Sequence, residues 1–486
     1  MSVRDCVLRG AWVMAVERTE QEADNPLRAY GAWLAEAPAA WPEAALESAR
    51  RQVIDVLAVT IPGALTPAAQ RTLAAVETWG DGPCTIIGGR GRMAAPWAAL
   101  VNGTAAHALD FDDNFDPAKA HATAVLAPAI LAVAEERRAG GRAVLDAYIA
   151  GLQILGRVGQ GLNPIHRNRG WHATGTVGAI GAAAACARLL KLDSAAAAHA
   201  LSIATSMAGG FMAQFGTMTK PLHAGLAAKA GVLAAALASK GVDASPDTLD
   251  GPYGMQRLMV GPDYAELRDT LTYVEHGQTL RFETQAVGEP LLILENGFRV
   301  KRYPICGSAH RAMDGLLALR EAHGFDAGDV AEIHVHAPVS HLANLMYQRP
   351  ATALEAKFSL EYGLAAVLLD GECGLAAFTD EAVARPGLRA VYQRIHRHPV
   401  DLPESAFPTR VVVRLANGAT LETTVAMPLG SIAAPFPLAV YWRKLDTSTA
   451  GALTPARAAR LRAALERLPD LPDIGELMRA TAADRG

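Results

Sequence analysis

Four aspartates lie within a stretch of seven residues, at Asp110, Asp112, Asp113 and Asp116. In a partly buried site, their mutual repulsion raises the pKa of at least one of them or requires a cation. The last three have the spacing Asp-Asp-x-x-Asp, which is typical of carboxylates that bind magnesium. Alternatively, Asp110 orients or tunes a histidine, since His107 and His121 are close in the sequence. A third interpretation is a solvated acidic turn before a helix.

Two further stretches place a histidine or a lysine at the predicted start of a helix. His172 precedes a segment rich in alanine and glycine, and Lys220 precedes a proline, which fits a first helical turn. A helix N-terminus offers unpaired backbone N–H groups and the positive end of the helix dipole, so it suits a carboxylate ligand. A lysine there is locally unfavourable unless an anion binds beside it. Glycines that serve packing and a solvated lysine are the simpler alternatives.

A fourth stretch, Lys301–His310, contains two basic residues, a proline turn and a histidine before a predicted helix. A surface basic pair and a helix-cap histidine would give the same pattern. Taken together, the four stretches combine acids, histidines and lysines near helix starts. That combination suits the binding of a polycarboxylate and the transfer of a proton at a carbon beside a carboxylate or carbonyl.

These residues need a scaffold, and the pattern from residue 26 to residue 289 predicts one made of helices. Alanine, the best helix former, supplies much of the 51% hydrophobic content. Small residues also let neighbouring helices approach closely. The apolar spacing predicts helices over Pro42–Ile61, Ala120–Glu136, Val144–Val158, Ala173–Leu190 and Pro221–Lys240.

The pattern changes near residue 290, where strands begin to alternate with helices. Val330–His336 alternates with period two, and Asn417-Gly418 predicts a hairpin between two further strands. The helical pattern returns near the C-terminus. The fold class we predict is mainly α, with residues 26–289 and 429–486 forming one helical domain from two chain segments and residues 290–428 forming an inserted α+β domain. The remaining predicted elements are strands over Thr409–Leu415 and Ala419–Ala426 and helices over Ala309–Ala322, Ser359–Leu369 and Pro455–Leu468.

Composition excludes several classes of protein. A net charge of −4 gives no basic surface for nucleic acid. Five widely separated cysteines favour neither a disulfide framework nor a zinc ribbon, and they fit a reducing cytoplasm. The alanine-rich stretches carry Lys, His and Arg, so we predict no membrane span. Residues 1–25 are too short and too charged to span a bilayer, and we predict a loose N-terminal extension.

Five ordered motifs give the sequence a specific resemblance. The stretch Val101–Asp113 resembles the hallmark of the MmgE/PrpD family, which includes 2-methylcitrate dehydratase, cis-aconitate decarboxylase and iminodisuccinate epimerase. The resemblance covers about residues 27 to 430 and follows the family's order. The other four motifs are Gly170–Gly175, Lys220–Gly225 with His223, Lys301–Cys306 followed by His310, and Ala356–Tyr362.

The resemblance implies a helical domain with an inserted α+β lid, a pocket between them, a homodimer, and no metal or organic cofactor. Carried over by motif, Lys220, His223, Asn114 and Lys301 bind the substrate. Asn114 stands where the decarboxylases have threonine, and the spacing from there to His121 is one residue longer. The catalytic positions implied by the resemblance are Asp110, His121, His172, Lys220, His310 and Tyr362.

Several activities fit this inventory. The leading hypothesis is a cofactor-independent lyase resembling 2-methylcitrate dehydratase, in which His172 or His121 removes a proton and His310 or Tyr362 supplies one. An iminodisuccinate epimerase-like isomerase and a cis-aconitate decarboxylase-like lyase are the alternatives. A remote alternative is a magnesium-dependent terpene synthase that uses Asp112, Asp113 and Asp116. Its second metal motif is missing from the sequence, and the aromatic content of 6% is low for a carbocation pocket.

Overall fold

The fold is mainly helical, with 56% of the residues in helices and 8% in strands. A computed structural model describes residues 25–38, 40–269, 271, 274–402 and 407–483. The predicted extension over residues 1–25 therefore lies outside the described residues, except for Asn25. The side chain of Asn25 accepts a hydrogen bond from the backbone N–H of Arg28 and caps the first helix.

Long helices fill the first half of the chain, and the apolar periodicity predicts most of them. The predicted helix over 120–136 begins later, at Thr123, because Phe115 and Ala120 first pair with each other across a tight turn. The first-half helices of ten residues or more are Pro26–Glu36, Glu43–Gly63, Pro67–Val76, Ala95–Ala108, Thr123–Arg137, Gly141–Leu162, Ala173–Leu189, Ser194–Thr205 and Thr219–Ala238. Shorter helices follow at Ile165–Asn168, Met255–Met259, Tyr264–Asp269 and Leu292–Glu295.

The second half combines helices with a four-stranded sheet. The chain forms β1 (Cys84–Thr85) and β2 (Arg92–Met93) in the first half, and β3 (Val330–Pro338), β4 (Ile395–Val400), β5 (Thr409–Leu415) and β6 (Thr420–Val425) in the sheet. Helices in this half are His310–His323, Val339–Asn344, Ala353–Ala356, Leu360–Asp370, Asp380–Val383, Pro386–Tyr392, Leu438–Thr449, Pro455–Glu466 and Gly475–Thr481.

The sheet has the strand order β4-β3-β5-β6, with β4 parallel to β3 and the other pairs antiparallel. The predicted hairpin is confirmed, since Leu415 donates its backbone N–H to Ala419 across the Asn417-Gly418 turn. β4 was not predicted, because its sequence of alternating histidines gives no apolar alternation.

Two separate hydrophobic cores hold the molecule together. The first contains buried side chains from Leu27 to Val300 and again from Tyr441 to Ala480. The second contains buried side chains from Tyr303 to Val413. The change of core comes between Val300 and Tyr303, later than the change of sequence pattern near residue 290.

Close packing of two helices brings distant motifs together. A Cβ added to Gly103 would lie 2.8 Å from the Cα of Gly225, so the helices Ala95–Ala108 and Thr219–Ala238 touch backbone to backbone. Only glycine permits this approach. As a result, the end of the first helix, where Asp110 follows, meets the start of the second, where Lys220 lies.

The helix Thr219–Ala238 is also long and apolar enough to cross a membrane by length and composition. However, 67% of its apolar window is buried within the fold. A core helix of a soluble protein passes the same test, and this helix packs against the helices Ala95–Ala108 and Ala173–Leu189.

Candidate active site

A cavity of about 530 Å³ lies where the two cores meet. Its lining includes six of the predicted site residues: Asp110, Asn114, His121, His172, Lys220 and Lys301. Residues of the second core's segment close the other side, among them Ser308, His341 and Phe358. The cavity therefore collects motifs that are far apart in the sequence.

One carboxylate binds two lysines at the floor of this cavity. Asp110 accepts from the Nζ of Lys220 through Oδ1 and from the Nζ of Lys301 through Oδ2, at 3.0 Å for the latter. All three side chains are buried. Burial by itself raises the pKa of Asp110, but the positive charges of Lys220 and Lys301 outweigh it and hold that pKa well below its ordinary value. The cluster thus carries a net positive charge beside the cavity.

Local backbone geometry aims Asp110 at the lysines. Asp110 follows the helix Ala95–Ala108 and adopts a left-handed conformation with φ of 51°. Aspartate and asparagine tolerate this region better than most residues. Lys301 reinforces the turn by donating to the backbone carbonyl of Asp110 at 2.8 Å. A third lysine, Lys357, donates to the carbonyl of Leu109 at 2.6 Å.

A second carboxylate lies between two histidines. Asp112 Oδ2 is 2.8 Å from Nδ1 of His107 and 3.3 Å from Nδ1 of His121. Burial raises the pKa of Asp112, but the two imidazoles lower it well below its ordinary value. Burial lowers the pKa of His121, and Asp112 partly opposes that effect. Asp112 therefore orients His121, which lines the cavity, while His107 lies behind it.

A histidine pair forms the opposite wall. His172 lies at the N-cap position of the helix Ala173–Leu189, and its Nδ1 lies 3.0 Å from Nδ1 of His223. Burial is the main reason that the pKa of His172 lies well below its ordinary value. The neighbouring His107 and Lys220 lower this pKa further. His172 is thus a neutral imidazole whose Nε2 is not used by His223. Gly175 lets the backbone carbonyl of Gly209 approach this helix, because a Cβ at residue 175 would lie 2.2 Å from that oxygen.

The acidic stretch does not form the magnesium site considered above. Asp112 binds histidines, Asp113 accepts from the hydroxyl of Thr123 at 2.5 Å, and Asp116 accepts from Arg299. The three carboxylates therefore point to different partners and do not converge on one ion. This arrangement removes the structural basis for the terpene synthase alternative.

Further charged and polar groups surround the cavity. Lys119 lies 3.2 Å from Glu275, Arg299 pairs with Asp116, and Arg167 donates to the side-chain amide of Asn344. The helix Ala173–Leu189 begins at the cavity with no side-chain cap, so its first N–H groups are available to an anion. The surroundings suit a small ligand with more than one carboxylate.

Three of the predicted residues lie outside the lining. His223 is behind His172, so it contacts the cavity only through that residue. The Nε2–H of His310 donates to the carbonyl of Ile305 at 3.2 Å, and the hydroxyl of Tyr362 donates to the carbonyl of Ala377. His310 and Tyr362 are buried in the second core, and burial raises the pKa of Tyr362 above its ordinary value. In this structure, neither group is placed to give a proton to a ligand in the cavity.

Comparison with known proteins agrees with this geometry. The MmgE/PrpD N-terminal domain matches residues 32–268, and the MmgE/PrpD C-terminal domain matches residues 303–470. The chain belongs to the MmgE/PrpD family. Members of this family that are similar to cis-aconitate decarboxylases are lyases, a class that includes dehydratases. The protein is therefore an enzyme of the lyase class. The second match begins at residue 303, where the change of core between Val300 and Tyr303 also lies.

Several relatives of the chain are named as cis-aconitate decarboxylases or as similar to them. The cis-aconitate decarboxylase-like protein oryM of Aspergillus oryzae is 27% identical over 92% of this chain and 95% of its own length. The human cis-aconitate decarboxylase is 27% identical over 77% of each chain. The Aspergillus terreus cis-aconitate decarboxylase is 26% identical over 90% of this chain and 92% of its own. None of these three relatives is named a 2-methylcitrate dehydratase.

Some site residues were not predicted from the sequence. The sequence pattern indicates Asp112 only as a candidate magnesium ligand, whereas its carboxylate lies 3.3 Å from Nδ1 of His121. Lys357 was only part of a motif, yet burial lowers its pKa to about 7 despite the opposing charge of Asp110. Its immediate neighbours Ala356 and Phe358 are apolar, but Glu355 and Ser359 flank them, so the local sequence does not indicate a buried lysine. Arg167 carried no signal, since its role depends on the position of Asn344.

The described residues contain one group of three side chains with donors suited to a divalent ion, namely His107, Asp112 and His121. Their potential ligand atoms all lie within 4.8 Å of one another. Asp112 Oδ1 and His107 Nε2 are buried and make no hydrogen bond. The family resemblance implies no metal, and hydrogen bonding between Asp112 and His107 already accounts for the arrangement.

Proposed function

We propose that the protein is a decarboxylase-type lyase acting on cis-aconitate or a closely related small tricarboxylate, without a metal or organic cofactor. The observation that carries the proposal is one cavity whose lining combines the lysines Lys220 and Lys301 with the histidines His121 and His172. The names of the curated relatives support the choice of decarboxylation.

Substrate carboxylates interact with the cationic side of the cavity. Lys220 and Lys301 share a single carboxylate, that of Asp110, so one positive charge remains for a ligand. The start of the helix Ala173–Leu189 offers N–H groups to a second carboxylate. Arg167 lies on the same lining and suits a third.

The reaction requires little beyond orientation and one proton. In cis-aconitate, the saturated carbon is allylic to the double bond and carries one of the three carboxylates. When the bond between this carbon and its carboxylate breaks, CO2 leaves and the electron pair moves through the double bond to the carbon beside another carboxylate. A proton delivered to that carbon completes the exchange of CO2 for hydrogen. Lysines that bind the remaining carboxylates stabilise the developing negative charge.

His121 is the proton donor in this proposal, and His172 is a neutral partner. Both histidines have pKa values below the ordinary one, but Asp112 stabilises the charged form of His121, whereas the groups around His172 are cationic or neutral. An arriving trianion raises the pKa of a histidine beside it. Ligand binding therefore charges His121 first. His310 and Tyr362, the predicted donors, are replaced in this role because they lie outside the lining.

The arrangement of domains is part of the same proposal. Residues 26–289 with 429–486 form the helical part, and residues 290–428 form a lid over the cavity. The two cores and a cavity lined from both of them support this division. The homodimer and the cytoplasmic location stay predictions.

Proton NMR in D2O tests the reaction directly. Incubation with cis-aconitate is expected to give itaconate that carries one deuterium on its saturated CH2 group and none on its =CH2 group. The variant His121→Gln is expected to lose this signal. The same experiment with 2-methylcitrate and iminodisuccinate distinguishes the alternatives. Alkene formation from 2-methylcitrate would indicate a dehydratase, and deuterium exchange without loss of iminodisuccinate would indicate an epimerase. Either result, with no turnover of cis-aconitate, contradicts the proposal.

A further inference from the structure

Four histidines lie on one face of the sheet, outside the cavity. In the parallel pair of β3 and β4, His334 is opposite His396 and His336 is opposite His398. Ile333 and Val335, which alternate with the β3 histidines, are buried in the second core. The histidines therefore point away from that core, and all four are partly exposed. Such a set on two neighbouring strands is uncommon, because it brings four ionisable rings together on one surface.

The rings are in direct contact. Nδ1 of His334 lies 3.0 Å from Nε2 of His398. The ring centroids of His334 and His396 are 4.8 Å apart, and those of His336 and His398 are 4.4 Å apart. Two imidazole nitrogens on one tetrahedral zinc ion, each about 2.0–2.1 Å from the metal, lie roughly 3.3 Å from each other. The His334–His398 pair is already close to that separation.

Two arginines lie near the histidines, and each of them forms an ion pair with a glutamate, which offsets its repulsion of a cation. Arg414 donates to Glu332 at 2.9 Å, and Glu332 also lies 3.0 Å from Nε2 of His334. Arg410, opposite His336, donates to Glu422 at 2.7 Å. Each arginine thus has a glutamate partner, and Glu332 adds a carboxylate beside the histidine pair.

We propose that this face of the sheet is a binding site for a divalent transition-metal ion of the zinc and copper class, with His334 and His398 as the first two ligands. The ring of His396 lies beside that of His334, and the ring of His336 lies beside that of His398, so these two are the candidates for a third ligand. Imidazole is a preferred ligand of zinc, copper and nickel, whereas magnesium and calcium prefer oxygen. We therefore expect the site to bind zinc, copper or nickel and not magnesium or calcium.

The site is independent of the proposed reaction, but it lies on strands that reach the cavity. β3 leads directly into Val339 and Ser340, and β4 leads into Asp401 and Leu402, all of which line the cavity. β4 is an edge strand held on one side only, by β3. An ion shared by His334 and His398 cross-links β4 to β3 and fixes the edge of the sheet.

Titration of the full-length protein with Zn²⁺ by calorimetry, and with Cu²⁺ by electron paramagnetic resonance, tests the proposal. We expect one ion per chain and a Cu²⁺ spectrum with splitting from at least two imidazole nitrogens. The double variant His334→Ala/His398→Ala is expected to bind at least roughly ten times more weakly. His323→Ala is the matched control, because His323 is an exposed histidine outside both sites, and it is expected to bind like the wild type.

Asp112→Asn separates this site from the buried group at His107, Asp112 and His121. If binding survives Asp112→Asn and is lost in the double variant, the sheet site holds the ion. If binding survives in the double variant, or if Cu²⁺ shows no nitrogen splitting, the proposal is wrong. Should the double variant fail to fold, the single variant His398→Gln, which keeps a polar side chain at the surface, replaces it with the same expected loss.

Discussion

The Nδ1 atoms of His172 and His223 lie 3.0 Å apart, so one of them carries a proton that the other accepts. The position of this proton decides which tautomer His172 presents at its Nε2. His223 reaches the cavity only through this contact. It therefore acts as a positioning residue in the proposed reaction.

Replacement of His223 by phenylalanine keeps a ring of similar size but removes the hydrogen bond. We expect kcat for cis-aconitate to fall roughly 10–100-fold while KM changes little, because acid–base positioning is lost and the carboxylate contacts remain. Steady-state kinetics measures the two constants separately. His199→Ala, a histidine far from the cavity that contacts the backbone of Ala244, should leave both unchanged. If KM rose by the same factor by which kcat fell, His223 would have a general structural role instead.

Replacement of Asp110 by asparagine leaves Lys220 and Lys301 buried without their carboxylate. Asparagine also tolerates the left-handed backbone at this position, so the charge is the main change. We expect the free energy of unfolding at pH 7 to fall by about 3–5 kcal/mol, measured by urea denaturation.

The sign of the pH dependence follows from the lowered pKa of Asp110. A carboxylate with a folded-state pKa below the unfolded one stabilises the fold above the unfolded value, and that contribution is lost as the pH falls through the folded pKa. The difference between wild type and Asp110→Asn should therefore shrink in acid. Asp326→Asn breaks an exposed ion pair with Arg320 and is the control, with an expected change near zero. Equal effects of the two variants would contradict the buried cluster.

The role of His121 as a proton donor predicts an acid-side pH profile. In the free enzyme its pKa lies below 6.5, so kcat/KM should fall as the pH rises above that pKa. Asp112→Asn removes the negative charge that supports the protonated form, which moves the profile to still lower pH and lowers the maximum. A wild-type profile that instead rises through pH 5–7 would indicate a neutral base, as dehydration or epimerisation requires.

Asp113 should behave as a buried neutral acid. Burial raises its pKa to about 7, although a hydrogen bond from Thr123 opposes the shift. Because the folded pKa exceeds the unfolded one, the wild type loses stability as the pH rises toward and through 7. Asp113→Asn imitates the protonated acid, so it should gain about 1 kcal/mol relative to the wild type between pH 6 and pH 8, measured from urea midpoints. A constant difference over that range would contradict the raised pKa.

Removal of metal ions should leave turnover unchanged. The proposed steps use lysines, histidines and helix N–H groups, and the group at His107, Asp112 and His121 already has an internal hydrogen bond. Dialysis against EDTA, with the metal content followed by elemental analysis, gives the measurement. Complete loss of turnover, restored by Zn²⁺ or Mg²⁺, would contradict the metal-free mechanism.

Local sequence patterns predict the secondary structure well where one physical cause dominates. Apolar periodicity places the helices Glu43–Gly63 and Gly141–Leu162, and the Asn417-Gly418 dipeptide places the hairpin of β5 and β6. β4 escapes prediction, because its pairing with β3 and not its own apolar pattern makes it a strand. The family motifs likewise identify six lining residues, since each motif lies at a helix end or turn that the fold uses again.

What the sequence determines by itself is the inventory: the helices, the family, and the lysines and histidines that carry charge and protons. Tertiary structure alone decides their roles. Asp112 lies between His107 and His121, and His310 and Tyr362 lie outside the lining of the cavity. The reason is physical. The surroundings of a side chain depend on how the chain turns and packs, as between Asp110 and Lys220, which are 110 residues apart in the sequence, and no local pattern contains that information.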